Sequence, residues 1–300
     1  MVLDTGSSDI WFPSVPCDSC GDHPLFNSEN SSTYLSLDRE WSLGYFDGSF
    51  AKGVVGTDTV RMGDLTRANQ TIGLATLESK SFGGNTYLDG VFGLAFPSMS
   101  LTKQESSIIM DMYKDGQIEE PIVGMHLGRT RDGGKGETIF GGVNQNRFTG
   151  ELNYIEVTKQ KYWQVDFGGV DIDGTLYTDN STDQAMIDTG TTLLVVPTSV
   201  ADAIHSFIPH GKFVDPIGWF FPCKTNLNTT VTIKLGGQDF PIPLSELIRE
   251  RYIAEDPTYC ISGVGASDSG LAIMGETFLR NYYSSYNFET ARVGFAPSSL

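Results

Sequence analysis

The sequence predicts an all-β protein of two duplicated, β-barrel-like lobes, with a few short helices and a cleft between the lobes. Three observations carry that expectation. Short β-branched or aromatic runs broken by Gly, Asp and Pro recur along the chain. The 300 residues include 34 glycines, with 19% charged and 11% aromatic residues, a turn-rich globular composition unlike that of disordered chains. One pattern also occurs twice, once in each half.

The elements follow in order. "GVVGTDTVRM" reads as a strand. "SLTKQESSIIMDMYKDG" reads as a helix, with a capping residue, Ile108, Ile109 and Met112 at helical spacing, and Gly116 as its stop. "YWQVDFGGVDIDG" is a strand, and "PTSVADAIHSFIPHG" a second helix entered at Thr198 or Ser199 and left through a Pro-containing exit. "TTVTIKLGG" is a strand, "PLSELIRER" a third short helix, and "ARVGFAP" the last strand. Turn residues in "GGVNQNRFTGELNYIEV" divide an amino-terminal lobe, 1–147, from a carboxy-terminal lobe, 148–300, with no low-complexity linker.

The repeat is Asp-Thr-Gly. Asp4-Thr5-Gly6 follows two apolar residues and precedes Ser7; Asp188-Thr189-Gly190 follows two and precedes Thr191. At nearly the same distance downstream, "GVFGLAF" brings Gly93 and "AIMGETF" brings Gly275. Duplication implies a pseudo-twofold axis, which can set two equivalent aspartates face to face. At one residue in twenty, chance supplies roughly 0.04 such triplets in a chain this long, so two matched copies are not accidental turns. The second copy has a run-in of strands and the first only three residues. A few tens of residues are therefore expected upstream of Met1, and the stretch from Met1 by itself is expected to be unstable or weakly active.

Two carboxylates at hydrogen-bonding distance cannot both ionise, so they share a proton. Such a pair can hold a water, deprotonate it for attack on an amide carbonyl and return a proton to the leaving nitrogen. No metal, cofactor or covalent intermediate is called for. Gly6 and Gly190 allow tight turns, Thr5 and Thr189 can bond across to the opposite loop, and Ser7 and Thr191 can donate to the outer carboxylate oxygens. A Tyr ahead of Asp47-Gly48, between extended runs, suits a hairpin that folds over a substrate and excludes water.

With 20 Lys and Arg against 37 Asp and Glu, the formal charge is −17. That surface repels phosphate backbones and anionic lipid, which argues against nucleic-acid and membrane partners. It serves solubility, or adaptation to acid, where carboxylates become neutral and self-repulsion fades. Cys17 and Cys20 are close together, Cys223 and Cys260 far apart. A Cys-x-x-Cys can be a redox pair or half a zinc site, but with no second close pair and four scattered histidines, disulfides 17–20 and 223–260 are favoured. Sequons at Asn30, Asn69, Asn180 and Asn228 are glycosylation candidates and, with paired cysteines, favour an oxidising secretory route.

The chain resembles pepsin-like aspartic peptidases, secreted microbial members among them, over essentially its whole length. "LDTGSSDIWFPS" resembles the first active-site loop, "GYFDGSFAKGVVGTDTV" the flap hairpin, and "LDGVFGLAFPSMS", "MIDTGTTLLVVPTS" and "IMGETFLRNYYSSYNFETARVGFAPS" later landmarks in order. The cysteine spacings match two family disulfides. The resemblance implies an aspartic endopeptidase acting at acidic pH, with Asp4 and Asp188 as the dyad. It implies Tyr45 at the flap tip, with Asp47, Gly48 and Ser49, and Trp11 as the hydrogen-bonding support of that tyrosine. Protein or peptide substrates, a propeptide or a pepstatin-like inhibitor would lie in the cleft of a monomer, secreted or in an acidic vacuole- or lysosome-like compartment. Asp47 is expected to accept a substrate Lys before the scissile bond. Phe46 stands where Gly is usual and Glu276 where Asp is usual. The alternative is a catalytically silent relative that binds protein, against which the intact dyad, the hydroxyl followers and Tyr45 argue. A serine nucleophile motif and a phosphate loop are both absent.

Overall fold

The first half of the chain builds a six-stranded sheet with three short strands along one side and three long ones along the other. The computed structural model describes residues 1–84, 88–215, 217–225, 227–252 and 258–299, and the side chains of these except 250–252. Two compact units result, Met1–Pro121 and Ile122–Leu300.

In the first unit the strands are β1 (Val2–Asp4), β2 (Ile10–Pro13), β3 (Leu35–Gly44), β4 (Phe50–Met62), β5 (Leu65–Glu78) and β6 (Val91–Gly93). Their order across the sheet is β1-β6-β2-β5-β4-β3. β3 and β4 are a hairpin with residues 45–49 at its tip, and the expected strand "GVVGTDTVRM" lies inside β4. Trp11, Trp41, Ala51, Val55, Ala75 and Val91 form a buried cluster beneath it. Each large apolar side chain so buried stabilises the unit by about 1.5–3 kcal/mol. Two helices flank the sheet, α1 (Lys80–Gly83) and α2 (Ile108–Lys114). α2 is the expected helix: the Ser107 side chain caps it by accepting from the Met110 N–H, Ile108, Ile109 and Met112 are buried, and Gly116 takes φ +69° just beyond its end.

The second unit holds three sheets, of nine, four and five strands. In the five-stranded sheet, Ile122–His126 and Glu137–Phe140 join Tyr282–Asn287, Arg292–Pro297 and Asn153–Glu156. Within 122–147, which the turn residues near 148 assign to the first lobe, Ile122–His126 pairs with the carboxy-terminal strand Tyr282–Asn287 and Glu137–Phe140 pairs with Ile122–His126. The helix expected from Thr198 is α3 (Thr198–Ser206), with Val200, Ala201, Ile204 and His205 buried. "PLSELIRER" is not an α-helix: Leu244–Leu247 make one 3₁₀ turn, and Ile248–Tyr252 leave it as a strand paired with Tyr259–Ser262. Pairing with that strand outweighs the helical preference of a segment too short to hold by itself.

Both expected disulfides are formed, Cys17–Cys20 and Cys223–Cys260. The second closes a separation of 37 residues. Replacing both its cysteines with Ala is expected to cost about 4 kcal/mol against about 2 for the short bridge. Urea unfolding would read the difference, and an unchanged midpoint without Cys223–Cys260 would contradict it.

The sequence repeat becomes a repeat of strand pairing. β1 runs parallel to β6 with Asp4 opposite Gly93, and β6 runs antiparallel to β2. In the second unit Gln184–Ile187 runs parallel to Ala272–Met274, with Ile187 opposite Met274 just before Asp188 and Gly275. Ala272–Met274 in turn runs antiparallel to Leu194–Val196.

Candidate active site

Each Asp-Thr-Gly leaves the end of a short strand and turns at once, so its carboxylate is held where the sheet ends. Asp4 and Asp188 are each 5% exposed. In the first unit the Gly6 N–H donates to Asp4 Oδ1 at 2.8 Å, and the Ser7 hydroxyl donates to Asp4 Oδ2. In the second unit the Gly190 N–H donates to Asp188 Oδ1 at 2.8 Å, and the Thr191 hydroxyl donates to Asp188 Oδ2 at 2.6 Å. Two donors on separate oxygens leave each carboxylate one orientation. Thr5 and Thr189 are buried beside them.

The paired glycines of the repeat exist because these loops come close. A Cβ on Gly93 would lie 2.5 Å from the Asp9 amide nitrogen, and one on Gly275 would lie 2.3 Å from the carbonyl oxygens of Thr191 and Leu193. Only glycine fits. The neighbouring backbone then ties each loop down. The Leu94 N–H donates to Asp4 O at 2.7 Å and the Ala95 N–H to Ser7 O at 2.8 Å. The Glu276 N–H donates to Thr191 O at 2.8 Å, and Thr277 donates to Thr192 O from both its N–H and its hydroxyl. Glu276 thus supports the loop through its backbone, which a longer side chain leaves intact.

The hairpin tip is a turn closed by Tyr45 and Ser49, with Gly48 at φ +81°. The Ser49 N–H and hydroxyl both donate to Asp47 Oδ1. Asp47 is exposed, and Phe46 beside it is 72% exposed. Behind the tip, Trp11 Nε1 donates to the Tyr45 hydroxyl at 2.8 Å. Burial pushes the Tyr45 phenol above its ordinary range against the opposing indole bond, so it stays a neutral donor and acceptor.

Several supporting residues carry no signal in the local sequence. Asp9, 1% exposed, accepts from the hydroxyls of Ser100 and Thr102 and from the N–H groups of Leu101 and Thr102, pinning a distant loop to the first Asp-Thr-Gly loop. Gln104 Nε2 donates to Ser8 O at 2.6 Å. Phe82 packs edge-on to Trp11 and Tyr45. In the second unit, burial and the charge of Asp188 raise the Tyr162 phenol, placing it in the field of that carboxylate. All of these become neighbours only through folding. The four sequon asparagines are all exposed.

Residues 1–298 match the model of the eukaryotic aspartyl protease family. Rhizopuspepsin-2 of Rhizopus niveus is 37% identical, covering 98% of this chain and 74% of its own length. Syncephapepsin of Syncephalastrum racemosum is 35% identical over 99% and 73%, and pepsin A of Rhinolophus ferrumequinum 31% identical over 99% and 77%.

Proposed function

The chain belongs to the eukaryotic aspartyl protease family and is an aspartic-type endopeptidase, and we propose that Asp4 and Asp188 are the pair that activates its water. The observation that carries this is the identical anchoring of the two carboxylates, glycine N–H on one oxygen and hydroxyl on the other, at the ends of identically paired strands. Brought together, the two groups share one proton. The ionised member takes a proton from a bound water as it attacks the peptide carbonyl, and the protonated member supplies one to the leaving nitrogen. This division of labour sets an acidic working range.

Peptide substrates lie extended beneath the flap, whose backbone groups meet a strand as a sheet edge does. A propeptide or a statine-type inhibitor takes the same place. The flap's closure excludes water from the reacting carbonyl. The two disulfides and exposed sequons support an oxidising route, to the outside or to a vacuole- or lysosome-like acidic compartment, with glycans at Asn30, Asn69, Asn180 and Asn228. The internal duplication supports a monomer.

Asp47 confers tolerance of Lys before the scissile bond beside large apolar side chains. Its exposed carboxylate at the tip turn is oriented by Ser49. Asp47→Ala is expected to lower the ratio of Lys to Phe cleavage by roughly fivefold. A matched pair of peptides differing at that residue measures it, and an unchanged ratio removes the role.

A further inference from the structure

Behind the flap tyrosine lies a second group of ionisable side chains that the chemistry above does not use. The His23 side chain is 1% exposed. Its Nδ1 stands 3.0 Å from Asp89 Oδ1, and its Nε2 stands 3.0 Å from the Phe82 carbonyl oxygen. A carbonyl only accepts, so Nε2 carries a proton; an ionised carboxylate only accepts, so Nδ1 carries one too. The site is shaped for an imidazolium that donates from both nitrogens.

The charges around it act in one direction. Burial by itself favours the neutral ring, but the Phe82 carbonyl, Asp89 and Glu78 outweigh it and hold the His23 pKa above its ordinary 6.5. Asp89 is 47% exposed on its side chain. Glu78, at the end of β5, is buried; burial pushes its carboxyl up and His23 pulls it back. Its Oε1 is buried with no hydrogen-bond partner. On the adjoining segments Asp18, Asp22 and Lys80 face solvent.

What His23 holds is Phe82. That ring meets Trp11 and Tyr45 edge-on, with centroids 5.1 and 5.3 Å away, and Trp11 and Tyr45 are hydrogen-bonded to each other. Phe82 sits on α1, a single turn of four residues without a side-chain cap, which cannot hold itself in place. The loop of Cys17–Cys20 and His23 does so. Gly21 and Gly83 touch backbone to backbone, the Glu78 N–H donates to the Ser19 hydroxyl, and His23 reaches the Phe82 carbonyl.

We propose that His23 is a positioning residue for the flap: doubly protonated, it is tied to Asp89 through Nδ1 and clamps Phe82 against Tyr45 and Trp11 through Nε2, and losing the Nδ1 proton frees the ring from Asp89, loosens that support and weakens substrate binding. The effect on substrate rests on the peptidase reading; the clamp itself does not. A group whose pKa is raised on folding stabilises fully below its unfolded value and ceases to do so as pH rises through the folded one. For His23 the loss begins above 6.5. Burial raises the Glu78 carboxyl above its ordinary 4.5, and its negative form favours the charged ring. The clamp therefore persists until the ring itself gives up its proton.

The test combines proton NMR of the intact protein with peptide kinetics across about pH 4 to 7.5. In the wild type the Trp11 indole N–H is expected to shift with the same midpoint, above 6.5, as the His23 ring. Asp89→Asn, on a half-exposed side chain, is expected to move both midpoints down together by about one unit. His23→Gln keeps a donor for the Phe82 carbonyl that does not titrate, so the Trp11 step disappears and the variant's own KM shows no step at the wild-type His23 midpoint. His23→Leu has no donor and is expected to raise KM roughly three- to tenfold below the wild-type His23 midpoint, the difference narrowing above it, with kcat changed less than about twofold. A Trp11 signal with no step at the His23 midpoint, or one indifferent to Asp89→Asn, overturns the clamp. So does an unchanged KM in folded His23→Leu. If the wild type cuts no peptide, the peptidase reading fails while the Trp11 signal still decides the clamp.

Discussion

Asp188→Asn is expected to lower kcat/KM for peptides by on the order of 10³-fold at about pH 3 to 4, with stability unchanged to within about 1 kcal/mol. The structure separates the two effects. An Asn side chain keeps a carbonyl oxygen for the Gly190 N–H, and its amide nitrogen can donate to the Thr191 hydroxyl, which now accepts. The loop therefore keeps its shape, while the side chain can neither take a proton from water nor pass one to nitrogen. Asp4→Asn is expected to behave alike, since Gly6 and Ser7 hold Asp4 in the same way. The comparison is kcat/KM on one peptide with thermal unfolding of the same samples. Retention of more than a few per cent of activity by a folded Asp188→Asn protein would remove the proposed pair.

Gly275→Ala is expected to cost activity by about 10²-fold without touching any reacting group. The new methyl would meet two backbone carbonyl oxygens, those of Thr191 and Leu193, at 2.3 Å. Neither is the free end of a side chain, so one of the two strands must move. Thr191 belongs to the loop that orients Asp188, and a displacement of a few tenths of an ångström spoils a bond of 2.6 Å. Overpacking of this kind also costs about 1–3 kcal/mol of stability. Gly44→Ala is the control, because a Cβ there meets nothing within 4 Å and φ is not positive. Equal activity of the two variants would show that close packing at Gly275 does not hold the site.

Much of this arrangement was legible because it is built from local chemistry. Asp-Thr-Gly followed by a hydroxyl is a turn whose donors fold back on its own carboxylate, and those bonds span two or three residues. Helix α2 announces itself through Ser107 and the spacing of Ile108, Ile109 and Met112. The β3–β4 hairpin closes on itself at its tip, Asp47 to Ser49. What local pattern does not carry is pairing at a distance. Nothing near Ile122 tells that its strand will lie beside Tyr282–Asn287, and nothing near His23 points to Asp89 or Phe82. Asp9 reads as one more turn residue until Ser100 and Thr102 arrive to bond it. At "PLSELIRER" the apolar spacing suits a helix, and the partner strand Tyr259–Ser262 decides otherwise.

The strand pairing that holds each Asp-Thr-Gly loop also bears on when such a loop can exist. β1 carries Asp4 and bonds to β6, which lies most of a unit later in the chain; Gln184–Ile187 leads to Asp188 and bonds to Ala272–Met274. Contacts of such wide sequence separation form late, after the entropy of closing a long loop has been overcome. On a ribosome the chain emerges amino end first, so each aspartate is made long before the strand that fixes it. A partly synthesised chain thus carries the residues of the site without its geometry. On the proposed mechanism, hydrolytic competence is withheld from every nascent intermediate until the strand that pins each aspartate has been delivered.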